Sequence, residues 1–177
     1  MTKRVLAMGG LGAMGLGLAG LAGGQTVAAV PALDLNRYTG TWYEVARYPN
    51  KAEKHCVSDA VMLYALADKA KKFQVVSSCA TKDGYRNVRN GNGKRADKSE
   101  DGRLKVSYSW PFSSKYWVLA VDPEYSEWAL VGNPNRKTLW VLSRTGAMRP
   151  EVLAEVEAKA SAEGFDAAKL VRVTQGR

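Results

Sequence analysis

Apolar and polar positions along this chain alternate in short runs. Thr41-Trp42-Tyr43-Glu44-Val45-Ala46-Arg47-Tyr48 is rich in aromatic and β-branched residues and stops at Pro49-Asn50, which predicts a strand ended by a turn. Lys51 to His55 reads as a loop. A second strand is expected from Val57 to Leu66, a turn over Ala67 to Lys71, and a third strand over Phe73 to Cys79. Further short β-prone runs cover Arg103–Tyr108, Tyr116–Asp122, Trp128–Gly132 and Leu139–Arg144. Turn residues such as Asp101-Gly102, Pro111, Asp122-Pro123 and Asn133-Pro134 separate them. Between Tyr85 and Lys98 lies a very polar segment in which Asn90-Gly91-Asn92-Gly93 reads either as a turn or as a bulge in one long bent strand. About eight strands at near-regular spacing predict a mainly β chain, a sandwich or an up-and-down barrel. The period then changes. Val152, Leu153, Val156 and Ala160 recur at helical spacing between Arg149 and Gly164, with Pro150 suited to the first turn and Gly164 to the end. Leu170 to Val173 has the character of a short final strand.

The first residues follow a different rule. Lys3 and Arg4 precede an uncharged stretch, Val5 to Ala22, and small residues surround Thr26-Val27-Ala28-Ala29. That order predicts a secretory signal peptide over residues 1–29, removed on export, and one domain over 30–177. The alternative is a retained anchor, although the many glycines make the stretch a poor spanning helix. No cysteine follows it, so the lipid-modified cysteine of a bacterial lipoprotein is not expected, and the protein is placed in the periplasm or outside the cell.

Net charge is +9, or +7 once Lys3 and Arg4 are removed. The cations are scattered, and no helix-turn-helix, zinc-ligand or RNA-binding aromatic pattern accompanies them, so a solvated basic surface is expected and nucleic acid is not. Anionic membrane remains a possible peripheral contact. Cys56 and Cys79 are an even pair in an exported chain and fall at the same end of the expected hairpin, which predicts a disulfide. Free, redox-active thiols are the alternative, without a C-x-x-C spacing to support them.

Catalytic chemistry finds little support. The single histidine, His55, sits in an expected loop beside Cys56, and a surface histidine is the simpler reading than a Cys–His nucleophile. One histidine and two cysteines do not suit a zinc site. There is no G-x-S-x-G elbow and no phosphate-binding glycine loop beyond the leader. No catalytic residue, metal or cofactor is expected.

Three blocks resemble the lipocalin family. Gly40-Thr41-Trp42-Tyr43-Glu44-Val45-Ala46-Arg47 is similar to the G-x-W block of its first strand, Tyr116 to Tyr125 resembles the second block, and Leu139-Trp140-Val141-Leu142-Ser143-Arg144 the third. Tyr48-Pro49-Asn50, Glu53-Lys54, Cys56, and Lys105 to Phe112 resemble the branch of bacterial lipocalins, apolipoprotein D and insect bilin-binding proteins. The resemblance spans roughly Leu35 to Val173. It implies an eight-stranded antiparallel up-and-down barrel with one C-terminal helix packed outside and a short final strand. It also implies structural roles for Gly40, Trp42 and Arg144, the indole plugging one end and the guanidinium lying across it. The polar set Arg86, Arg89, Asn90, Asn92 and Arg95 departs from the more apolar pattern of the branch.

Side chains alternate across a strand. With Trp42 inward, the expected cavity set is Glu44, Ala46 and Tyr48 on the first strand, then Ala60, Met62 and Tyr64, Val75 and Ser77, Leu104, Val106 and Tyr108. Tyr116, Val118 and Ala120, and Trp140 and Leu142, complete it. From these the expected ligand-binding residues are Glu44, Ala46, Tyr48, Met62, Tyr64, Val75, Val106, Tyr108, Tyr116, Val118 and Trp140. Glu44 would be a carboxyl in apolar surroundings with a raised pKa; no partner is evident in sequence, and a hydrogen-bonded structural carboxylate is the simpler reading than a catalytic role. The resemblance implies a hydrophobic ligand, a fatty acid or lysophospholipid; a monomer or weak homodimer is expected. The rivals are a haem or bilin carrier, a lipid-acting enzyme, and an envelope protein whose barrel is filled by its own side chains.

Overall fold

A computed structural model describes residues 26–68, 72–96 and 101–176. Most of the expected leader therefore lies outside the described residues. Its last part does not: Val27 is buried beneath the C-terminal helix, the Ala28 amide donates to Glu163 Oε2 at 2.8 Å, and the Val30 amide donates to the Val118 carbonyl at 2.9 Å.

A four-residue helix, α1 (Leu35–Tyr38), precedes strands β1 (Gly40–Arg47), β2 (Cys56–Asp68), β3 (Lys72–Thr81), β4 (Arg86–Arg95), β5 (Arg103–Ser109), β6 (Phe112–Val121), β7 (Trp128–Gly132) and β8 (Leu139–Ser143). Helix α2 (Pro150–Ala162) and the short strand β9 (Val171–Arg172) follow. Each of β2 to β7 pairs antiparallel with the next, β8 pairs with β1, and β1 returns to β2, closing an eight-stranded up-and-down barrel; β9 lies outside on β1. Closure leaves no open edge among the eight strands.

The expected elements are present with small shifts in their ends. β4 resolves the alternatives at Asn90–Gly93: it is one strand in unbroken register with β3, Val76 opposite Asn90 and Phe73 opposite Gly93. The glycines provide space. A Cβ on Gly93 would fall 2.1 Å from the Phe73 ring, and one on Gly91 would fall 2.9 Å from the Tyr108 ring. α1 is absent from the sequence reading because four residues are too few to show a period; Asp34 caps it, accepting from the amides of Asn36 and Arg37.

Alternation sorts the core into two layers. Ala129, Val131 and Leu142 face the barrel interior with Trp42, Met62, Val75, Leu104 and Val118. Trp128, Leu130, Leu139 and Val141 face out and are covered by Val152, Val156 and Ala160 of α2 and by Phe165. β7 is thus buried on both faces. α2 starts at Pro150, and Gly164 (φ +78°) ends it, letting the Phe165 amide reach the Ala160 carbonyl at 3.0 Å.

Two bulges break the alternation. The β1–β8 register shifts between Glu44 and Ala46, so both Val45 and Ala46 join the layer under α2 and Arg47 turns inward. Ala46 and Tyr48, expected in the cavity, therefore lie on the outer face; Tyr48 packs with Phe165 and donates to the Asp166 carbonyl at 2.9 Å. A shift between Val118 and Ala120 on β6 likewise moves Ala120 outward. An inserted residue reverses the side-chain phase beyond it, and strict period-two reading cannot anticipate this. The C-terminal residues close the gap where β1 leaves β2: Gln175 Nε2 donates to the carbonyls of Glu44 (2.7 Å) and Ala60 (2.9 Å).

Candidate ligand cavity

One end of the barrel is plugged. Trp42 is fully buried, its Nε1 donates to the Tyr38 carbonyl at 2.9 Å, and the Arg144 guanidinium lies 3.7 Å from the centre of its ring. Arg144 also donates to the carbonyls of Tyr125 (2.9 Å), Thr41 (3.0 Å) and Arg37 (2.7 Å), tying α1 and the β6–β7 loop to the plug. Gly40, at φ +97°, passes beneath the guanidinium; a Cβ there would stand 3.2 Å from Arg144 Nη1. Gly40, Trp42 and Arg144 thus form one cluster.

Above the plug the interior is filled by aromatic side chains. The Tyr116 hydroxyl lies 2.5 Å from that of Tyr64 and 3.3 Å from that of Tyr38, and Tyr64 donates to Met62 Sδ at 2.9 Å. Burial raises the pKa of all three phenols, so they remain neutral donors and acceptors for one another. Tyr64, Val75 and Val118 point inward as expected, but they belong to this filled half and lie beneath the cavity.

The other half is hollow. A cavity of about 320 Å³ is walled by Ala60, Met62, Val106, Tyr108, Tyr116 and Trp140, and by the Cys56–Cys79 disulfide, whose Cα atoms are 5.5 Å apart. Of the expected ligand-binding set, Glu44, Met62, Val106, Tyr108, Tyr116 and Trp140 line it, with Ser77 beside them. The disulfide leaves Cys56 with no free thiol, which removes the Cys–His alternative. Asn50, Lys51, Asn87, Arg89, Lys115, Asn133 and Thr138 surround the mouth. Polar β4 contributes here: Arg89 stacks its guanidinium 4.3 Å from the Tyr108 ring centre, so a cation covers the aromatic wall that an apolar residue would otherwise extend.

One wall is polar. Glu44 is only 2% exposed. Arg47 Nη1 donates to Glu44 Oε2 at 3.3 Å, Arg47 Nε stands 3.6 Å from Glu53 Oε2, and Arg47 Nη2 donates to the Cys56 carbonyl at 3.2 Å. Glu53 is carried in by the 3₁₀ turn Lys51–Glu53, which Asn50 caps through the Glu53 amide, and it accepts from Trp140 Nε1 at 3.2 Å. Burial, reinforced by the neighbouring Glu53 and a hydrogen bond to it, pushes the Glu44 carboxyl well above the usual carboxylate range, and Arg47 only partly opposes this. Arg47 thus stands between two carboxyl groups, those of Glu44 and Glu53. The hydrogen-bonded carboxyl expected at Glu44 has its partner in Arg47, which the sequence did not single out. The available signal was a second charged residue, Arg47, three positions on in an apolar strand; the bulge that turns it inward left no trace in the pattern.

Residues 33–175 match the family described as the lipocalin-like domain. The chain is 37% identical over 150 residues to the outer membrane lipoprotein Blc of Escherichia coli, covering 84% of this chain and 83% of Blc. It is 34% identical over 159 residues to temperature-induced lipocalin-1 of Arabidopsis thaliana, covering 85% and 84%. Insecticyanin from the tobacco hornworm Manduca sexta shares the fold, with a TM-score of 0.69 at 23% identity and 85% of each chain covered. Closed barrel, plugged end, outer helix and matched sequence agree: the chain belongs to the lipocalin family, whose members bind small hydrophobic ligands.

Proposed function

We propose that this protein binds one single-chain amphiphile, a fatty acid or lysophospholipid, and stores or carries it in the cell envelope. The observation that carries the reading is the cavity itself: about 320 Å³, closed at the bottom, apolar along Met62, Val106, Tyr108, Tyr116 and Trp140, and open at one mouth. That volume lies at the lower end of the roughly 300–1,000 Å³ of small-molecule sites. Burial of apolar ligand surface, at about 25 cal/mol per Å², supplies the driving force. The tail goes inward, along the apolar wall that Met62, Val106, Tyr108, Tyr116 and Trp140 provide. The headgroup stays at the mouth with Lys51, Arg89 and Lys115. The reading assigns binding and no catalysis.

A cleaved leader and a periplasmic or secreted location belong to the same proposal. Blc is named as an outer membrane lipoprotein, and the disulfide suits an oxidising compartment. The two cysteines here are Cys56 and Cys79, neither of them in the leader. Native mass spectrometry of protein taken from its own envelope, with identification of what denaturation releases, tests the proposal. A fatty acid or lysophospholipid in near one-to-one amount is expected. A coloured tetrapyrrole, or an empty protein that takes up no added lipid, overturns it.

A further inference from the structure

We propose that the open end of the barrel is a docking face for an anionic lipid bilayer, with the β3–β4 and β5–β6 turns entering the interface and the cavity mouth turned toward the lipid. The purpose of such docking rests on the carrier reading above; its geometry does not.

Four connections ring the open end: residues 48–55, 82–85, 110–111 and 133–138. Two of them carry large apolar side chains in water. Trp110 is 91% exposed, Phe112 77% and Tyr85 74%, with Val88 also exposed. They are neighbours by topology. β4 pairs with β5 with Asn92 opposite Ser107, Arg89, next to Val88, reaches across to the Tyr108 ring, and Ser109 faces Phe112 across the β5–β6 turn. None of the four lines the cavity or joins either core layer, so neither folding nor ligand walls account for them. Clustered exposed apolar side chains with a polar surround mark an interaction site, and Trp and Tyr suit a boundary that is apolar on one side and wet on the other.

Charge selects the occupant. Lys51, Lys54, Lys82, Arg86, Lys115 and Lys137 are all exposed around this end. In the four connections the only carboxylates are exposed Asp83 and inward-turned Glu53. The opposite end is different: Glu124 and Glu127 lie in the β6–β7 loop, where they pair with Arg37 and Arg149, and Asp34 caps α1. An aromatic tip within a cationic ring complements an anionic bilayer surface, where basic residues are drawn to the headgroups and apolar side chains enter the acyl boundary.

Two measurements on the full chain test this. The first is co-sedimentation with phosphatidylcholine vesicles, with and without phosphatidylglycerol, at low and high salt. Binding to the anionic vesicles should exceed binding to the neutral ones by about tenfold and fall comparably at high salt. Trp110→Ser with Phe112→Ser should lower it by about tenfold, and Lys54→Glu with Lys82→Glu likewise. The second is tryptophan quenching by brominated lipid, which reads this turn whatever residues 1–25 do: quenching is expected in the wild type and absent in Trp110→Ser.

Uptake of a fluorescent fatty acid from buffer, measured beside these, should be unchanged in the turn variants. Uptake without vesicle binding overturns the docking face and leaves the carrier reading. Docking without uptake does the reverse. Vesicle binding and quenching unaltered by the substitutions, or a concentration-dependent dimer in sedimentation velocity that Trp110→Ser abolishes without any lipid effect, also overturn it.

Discussion

Glu44 shows how much a single residue's chemistry depends on its neighbours. In an unfolded chain it titrates as an ordinary carboxylic acid; in the barrel, burial and Glu53 push it well above the usual carboxylate range. A folded-state pKa above the unfolded one means that the native state binds the extra proton, so this contribution is fully present below the unfolded pKa, about 4.3 for glutamate, and is lost as pH rises through the raised folded value. Glu44→Gln keeps the shape without the titration. The stability difference between the two proteins, measured by urea unfolding at several pH values, should move steadily in favour of the variant as pH rises above that point. A pH-independent difference would show that Glu44 is not held protonated. Arg144 is a residue of another kind. Its three donated bonds and its stacking on Trp42 join segments far apart in sequence. Arg144→Met should cost about 2–4 kcal/mol in urea unfolding, since carbonyls lose their donors and the indole loses its cover. Retention of full stability would mean that the plug is held by packing alone.

At the scale of elements, β3 and β4 show how a strand of unpromising composition is kept in a barrel. Arg86–Arg95 is mostly polar and contains two glycines, yet it pairs along its whole length with β3. The missing side chains at Gly91 and Gly93 are occupied by the rings of Tyr108 and Phe73, which supply the apolar contact that β4 lacks. Gly93→Ala should therefore destabilise the protein by about 1–3 kcal/mol by overpacking, and Phe73→Leu in the same chain should recover part of that loss. A neutral Gly93→Ala in thermal unfolding would remove the close approach as the reason for glycine. Strand existence was legible in the sequence because runs of Val, Phe, Trp and Tyr bounded by turn residues survive in any context. The phase beyond Glu44 and beyond Val118 was not legible, because each bulge adds one residue to one strand of the pair, and no residue type announces it.

For the whole molecule, the two ends of the barrel are built differently. The closed end is packed with aromatic rings, and the open end is held around a hollow by short turns and one disulfide. Reduction of Cys56–Cys79, which closes a sequence separation of 23 residues, should lower stability by about 3 kcal/mol on the chain-entropy estimate. It should also weaken uptake of fatty acid, since the bond forms part of the cavity wall. Calorimetry with and without reductant and a fluorescent-ligand titration check both parts, and unchanged uptake would show that β2 and β3 hold the wall unaided. The sequence by itself determined that the chain is mainly β with one late helix, that Cys56 and Cys79 meet, and that Gly40, Trp42 and Arg144 form the family's closing set, because these follow from local period, hairpin register and recognisable blocks. Only the tertiary structure decided which inward residues line a space and which fill it. Glu44, Met62 and Tyr116 touch the cavity while Val75 and Val118 do not, and Arg47 and Glu53 come to stand beside Glu44. The physical reason is that alternation specifies a face, whereas depth along the barrel axis and the position of a void depend on how every ring packs against the others.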